Sequence, residues 1–184
     1  MLDAAVEIVA DRGLEELTLA ECGEVAGYSR GLAAHYFGSK EELLTAIATH
    51  IVEDYTRRLR AGLHTQAGLD GLLDSISFYI ESGRSNAKVL RAFHAVLGSA
   101  LTQSPLAASI AELNRHSIDA FAHPIRVGVK AGTIRRDVDP VAQGALILAG
   151  LRGVMTQWLI DPRHVDLDGI KAEFHASLRK ALAA

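Results

Sequence analysis

TLAECGEVAGYSRGLAAHYFGSKEEL, from Thr18 to Leu43, holds two helix starts of one design. Thr18 stands three residues before Glu21, and Ser39 three before Glu42. That spacing is a capping box, in which the hydroxyl accepts from one orphan helical N–H and the glutamate carboxylate accepts from another. Between the two starts, Gly27 offers the left-handed conformation that closes a helix. Ser29 then stands where it can cap a short helix reaching about Phe37. The expected order is helix, glycine turn, helix, and a third capped helix. Cys22, Gly23, Ala26, Tyr28 and Ala33 are expected to face inward and set the crossing of the first two. Ser29, Arg30, His35 and Tyr36 are polar and fall where a helix-turn-helix meets a major groove, where each can reach phosphate or a base edge.

Outward from this stretch the chain reads as helix throughout. Leu2, Ala5, Val6, Val9 and Ala10 recur at helical spacing, and Gly13 closes that helix. The helix opened at Ser39 is expected to run to about Leu63, with Leu43, Leu44, Ile47, Ile51, Tyr55 and Leu59 as its apolar stripe. Arg57, Arg58 and Arg60 read as a solvated face in its last turns. His64 to Gly68 is a break. Helices are then expected over Leu69–Ser82, Asn86–Gln103 and Pro105–Gly132. Ser104-Pro105 serves as cap and first residue of the last of these, and Pro124 should kink or split it. Asp139-Pro140 opens the most apolar helix, Val141–Ile160, and Asp161-Pro162 ends it. A final helix runs from about Leu167 to Leu182. No repeat, low-complexity segment or strand pattern stands out, so the fold class is all-α.

Composition narrows the function. The chain of 184 residues is 49% hydrophobic with a net charge of −3. No apolar run reaches the roughly 18 residues needed to span a bilayer, and Met1–Ala10 lacks the basic start of a secretory signal. The single cysteine, Cys22, rules out an internal disulfide and fits a reducing cytosol, so the expected location is cytoplasmic, with no membrane partner. No Cys/His cluster has ligand spacing, so neither a metal nor a cofactor is expected. The absence of a nucleophile elbow, a phosphate loop or suggestively paired carboxylates argues against an enzyme. Charge is the discordant feature. Up to His50 there are three cations, Arg12, Arg30 and Lys40, against nine acids, a balance of −6. Phosphate binding favours lysine and arginine, so any DNA binding is expected to be weak and strongly salt-sensitive.

The run Gly13…Thr18…Ala26-Gly27-Tyr28-Ser29-Arg30-Gly31…His35-Tyr36-Phe37-Gly38-Ser39-Lys40…Leu43 resembles the DNA-binding domain of the TetR family of transcriptional regulators. The resemblance implies a helix-turn-helix domain over residues 1–45 and a helical effector-binding and dimerisation domain over 46–184, with the fourth helix joining them. It places Thr18, Ser29, Arg30, Gly31, His35, Tyr36 and Lys40 on the DNA side, Tyr36 and Lys40 against phosphates. Three features depart from the family pattern. Gly23 replaces the usual alanine, which loosens the helix by roughly 1 kcal/mol. Ala34 stands where an aromatic residue or histidine is common. A basic arm is expected ahead of Leu2, so the start reads as trimmed or unusually short.

The resemblance also implies a ligand pocket among the later helices. Candidates for its lining are Phe78, Tyr79, Phe93, His94, Leu97, His116, Phe121, Arg152, Met155 and Trp158, each of which could equally be plain core. Arg152 is the sharpest, because a charge within so apolar a helix needs a partner. The expected effector is a small hydrophobic or aromatic molecule. The last two helices carry more apolar surface than a small domain hides, and a two-fold homodimer would cover it. The function expected is therefore a ligand-responsive regulator, most often a repressor in this family, that binds a near-palindromic double-stranded DNA operator as a homodimer. The alternative is a helical ligand-binding module that has lost DNA binding.

Overall fold

A computed structural model describes residues 1–62, 68–102 and 104–184 of the chain. The described residues form α1 (Leu2–Arg12), α2 (Leu19–Val25), α3 (Arg30–Phe37), α4 (Lys40–Gly62), α5 (Gly68–Ser85), α6 (Ala87–Ser99), α7 (Ser104–Ala131), α8 (Pro140–Ile160) and α9 (Leu167–Leu182). Among them no strand occurs, and Ile134 and Ala183 form an isolated bridge. The class is all-α, as the periodicities required. The helix end expected at Leu63 and the break over residues 64–67 lie outside the described residues, as do the side chains of Leu59, Arg60, Ser104 and Pro105. Pro124 does not split α7, which continues through it from Ser104 to Ala131. Burial of Phe121, Ala122 and Ile125 on either side holds the helix together where proline removes one backbone bond.

The chain divides into two compact units that are not successive stretches. The first takes residues Met1–Thr56 and Asn86–Leu113, the second Arg57–Ser85 and Asn114–Ala184. In the first, Ala5, Ile8 and Val9 of α1 join Leu17, Cys22, Ala33, Leu43, Leu44, Ile47, Ala92 and Val96 in one apolar cluster. Burial raises the Cys22 thiol above its usual range, which suits a small buried hydrophobe.

The crossing of α2 and α3 rests on Gly23. A Cβ built there would stand 2.7 Å from the carbonyl oxygen of Ser29. Tyr28 N–H also donates to the Gly23 carbonyl at 2.8 Å. Gly23 is therefore required by close approach, and the loosening expected from its poor helix propensity is secondary. Tyr28 departs from expectation: it is 53% exposed, because the turn that seats Ser29 over Gly23 carries the preceding side chain outward.

In the second unit, α5 packs with α8 and α9. Leu72, Leu73, Ile76 and Ile80 are buried, as are Ile147, Leu151 and Met155 of α8 and Leu178 and Leu182 of α9. Ion pairs rim the α5–α9 contact: Lys171–Glu81 at 2.6 Å, Arg84–Asp168 at 3.1 Å and Arg179–Asp70 at 3.0 Å. Helix α8 packs closely on α7 at Gly144, where a Cβ would lie 2.8 Å from the Ile118 carbonyl oxygen. Another side of α8 stays open. Ala142, Ala149, Gly150 and Gly153 are exposed there, with Leu146 at 67% and Ile160 at 79%.

Two outcomes follow for stability. Gly23→Ala should destabilise the fold by about 1–3 kcal/mol despite its better propensity, because the obstacle is backbone; urea unfolding measures it. His175 Nε2 lies 3.2 Å from Ser77 Oγ. Burial, then Arg179 and Lys171, holds its pKa below the usual value, against the Leu73 backbone and Asp74. The folded state thus prefers neutral His175. Its contribution is fully present above the unfolded pKa of about 6.5 and is lost as pH falls through the lower folded value. His175→Gln should flatten the fall in urea midpoint between about pH 7 and pH 5, where an unchanged slope would contradict this account.

Candidate nucleic-acid interface and effector region

Thr18 begins the helix-turn-helix as expected: its hydroxyl accepts from Glu21 N–H at 3.0 Å. The reciprocal half of that box is not made, because the Glu21 carboxylate is turned to Arg12 Nη2 at 2.8 Å. Ala26 N–H bonds the Cys22 carbonyl and Gly27 N–H the Glu24 carbonyl, and Gly27 takes φ +77°. That left-handed residue turns the chain without the Cβ clash an L side chain would meet. Ser29 sits at the N-cap of α3, but its hydroxyl makes no capping bond there, which corrects the capping role expected of it. Its carbonyl instead lies over Gly23 and accepts from Leu32 N–H at 3.1 Å.

Helix α3 has eight residues, and two of them, Ala33 and Phe37, are buried. Ser29, Arg30, Gly31, Ala34, His35 and Tyr36 are all exposed. Tyr36 is 72% exposed, and its ring meets Phe37 edge-on with centroids 4.8 Å apart. The second capping box closes completely: Ser39 Oγ accepts from Glu42 N–H at 3.1 Å, and Ser39 N–H donates to Glu42 Oε2 at 3.0 Å. Lys40 follows on α4 and donates from Nζ to the Leu14 carbonyl at 2.6 Å. Thr18, Ser29, Arg30, Gly31, His35, Tyr36 and Lys40 thus share the first unit, and all but the half-buried Lys40 are exposed. Arg30 is ion-paired through Nε with Glu24 Oε1, a partner that sequence reasoning passed over.

The effector candidates do not gather in one unit. Phe93 and His94 belong to the first; Phe78, His116, Phe121, Arg152, Met155 and Trp158 belong to the second. His116 is exposed on α7, off the stripe that buries Phe121 and Ile125. In the second unit Met155 is buried, Phe78 and Trp158 are half-buried, and the Tyr79 and Phe121 rings lie 6.5 Å apart. Arg152 Nη1 donates to Asn114 Oδ1 at 2.7 Å. Burial lowers the Arg152 pKa while a bond to Tyr79 opposes the shift; burial raises the Tyr79 pKa against the pull of Arg152. The Arg152 side chain therefore meets two neutral groups in an apolar setting. Asn114 was missed, although it interrupts the apolar spacing between Ile110 and Ile118. Among the described residues, no group of three or more His, Cys, Asp or Glu side chains is placed to hold a metal ion, and no helix is long and apolar enough to cross a membrane.

Residues 1–47 match the family model described as bacterial regulatory proteins, tetR family. Over 190 aligned residues the chain is 25% identical to the HTH-type transcriptional repressor KstR2 of Rhodococcus jostii, covering 100% of this chain and 90% of that one. Its fold is similar to that of a TetR-family transcriptional regulator from Rhodococcus sp., with TM-score 0.88, 21% identity, and 99% and 96% of the two chains covered. It is also similar to the regulator FadR of Bacillus subtilis, solved in complex with stearoyl-CoA, with TM-score 0.78, 19% identity, and 97% and 95% covered.

Gly31 offers a control for work on α3. Nothing lies within 4 Å of a Cβ built there, so Gly31→Ala should stabilise the fold by about 0.5–1 kcal/mol through helix propensity. A raised urea midpoint checks this, and a loss of DNA affinity in the same variant would then report a contact at that position.

Proposed function

We propose that this chain, which belongs to the TetR family of transcriptional regulators, binds a near-palindromic double-stranded operator as a homodimer and releases it when a small effector is bound. The observation that carries this reading is the exposure of Ser29, Arg30, Gly31, His35 and Tyr36 on a helix whose two inward residues, Ala33 and Phe37, anchor it to a capped helix-turn-helix. Residues 1–45 serve as the DNA-binding part and 46–184 as the effector and dimer part. In DNA binding, Arg30 and its neighbours at the start of α3 read base edges, while Thr18, Tyr36 and Lys40 meet phosphates. The open side of α8, with Leu146 and Ile160, supports a two-fold pairing of copies through α8 and α9. Two recognition helices would then address half-sites one helical turn apart.

The effector is a small hydrophobic or aromatic molecule received in the second unit, where Phe78, Phe121, Met155 and Trp158 supply apolar surface and Arg152 a polar anchor. Its binding favours a state in which the two recognition helices no longer match the half-site spacing, so operator affinity falls. Repression is the favoured direction, in line with the Rhodococcus jostii relative, and the place of action is the cytoplasm. The second reading, a ligand-binding module without DNA binding, is favoured by the −6 balance of the first 50 residues.

Binding of the purified protein to DNA flanking its own gene, titrated with salt, separates the two. The regulator reading expects one near-palindromic segment to be preferred, with affinity falling steeply, by about 10³-fold or more from 50 to 200 mM salt if six or more phosphates are engaged. Leu146→Glu should yield monomers by sedimentation and lose most of that affinity. Absence of any preferred segment, or a Leu146→Glu protein that remains dimeric, would overturn the corresponding part.

A further inference from the structure

We infer that Glu24 is a positioning residue that aims Arg30 at a guanine in the DNA site, an inference that rests on the DNA-binding reading above. Arg30 is the first residue of α3 and its single lysine or arginine. Its side chain is 75% exposed and bonds Glu24 Oε1 through Nε. That bond occupies the inner edge of the guanidinium. The terminal Nη1 and Nη2 groups keep their N–H donors, and two such donors match O6 and N7 of guanine in the major groove. An unbraced arginine would have to give up more side-chain freedom to make the same contact.

Glu24 is otherwise poorly placed. It lies in the last turn of α2 (Leu19–Val25), where the helix dipole disfavours an acid. It adds negative charge beside a polyanion in a stretch already holding nine acids and three cations. An exposed ion pair adds little to stability. Orientation of Arg30 accounts for the acid where folding and phosphate affinity do not. The backbone geometry supports this role. Gly23 precedes Glu24 and Ser29 precedes Arg30, and these two neighbours are held by the contact that leaves no room for a Cβ at Gly23. The other cations of the stretch are engaged elsewhere, Arg12 with Glu21 and Lys40 with the Leu14 carbonyl.

The test is selection from a library of random double-stranded DNA with the wild-type, Arg30→Ala, Glu24→Ala and Glu24→Gln proteins, followed by affinities for the selected site and for random-sequence DNA. The wild type should select a guanine in each half-site, and Arg30→Ala should lose that preference. Glu24→Ala should weaken it about tenfold while affinity for random-sequence DNA holds or rises, and Glu24→Gln, which keeps an acceptor, should restore part of it. The inference fails if Glu24→Ala keeps the guanine preference, or if it loses selected and random DNA equally, as a merely structural role would require. A wild type that selects no sequence at all removes the regulator reading and this inference together.

Discussion

The contact between the Ser29 carbonyl and Gly23 is the constraint on which the helix-turn-helix depends. It is an approach of backbone to backbone, with a Cβ position only 2.7 Å from the oxygen. Apolar burial pulls α2 and α3 together without direction, since the hydrophobic effect scales with area and not with angle. The angle comes from this approach, from the Tyr28 N–H bond to the same residue and from the left-handed Gly27. With the crossing set, Ala33 and Phe37 reach the core and Arg30, His35 and Tyr36 project outward. The outward face of α3 is thus a consequence of where one side chain is missing.

Part of the negative charge of the first unit sits at helix starts. Asp3, Glu21, Glu41 and Glu42 occupy first turns, where the macrodipole favours acids. The cations of the first 50 residues are drawn into bonds with the protein itself, Arg12 with Glu21, Arg30 with Glu24 and Lys40 with the Leu14 carbonyl, and Lys88 of α6 pairs with Asp11. These cations are thus engaged within the protein itself.

The second unit shows a different balance. Its core is apolar and tight, with Gly144 admitting the α7 backbone and α9 tied to α5 by ion pairs at the rim. Within it Arg152 meets Asn114 and Tyr79. A half-buried charge needs polar company, and Asn114 on α7 and Tyr79 on α5 supply it to Arg152 on α8. This cluster is a polar feature in an otherwise apolar setting.

The amino-acid sequence by itself determined the helices and most of their starts, because capping and periodicity act over three or four residues, whereas α5 runs past the expected Ser82 to Ser85 and α6 stops at Ser99, short of the expected Gln103. Thr18, Ser39 with Glu42, Asp139 and the glycine turn at Gly27 behave as their spacing requires. The exposed set on α3 was legible for the same reason, together with the family resemblance of the run from Gly13 to Leu43. Only tertiary structure decided the rest. Gly23 looked like a weakness until the Ser29 carbonyl was seen above it. The Ser29 hydroxyl stays out of its cap, and the Tyr28 ring is turned outward. The pairing of Arg30 with Glu24 and of Arg152 with Asn114 joins residues on different helices. The division of α4 and α7 between two units, and the membership of Phe93, His94 and Leu97 in the first of them, depend on which distant segments pack together. Local physics fixes each helix; the contacts that assign a side chain its neighbour cross from one helix to another, over 6 residues for Arg30 and Glu24 and over 38 for Arg152 and Asn114, and leave no periodic mark along the chain.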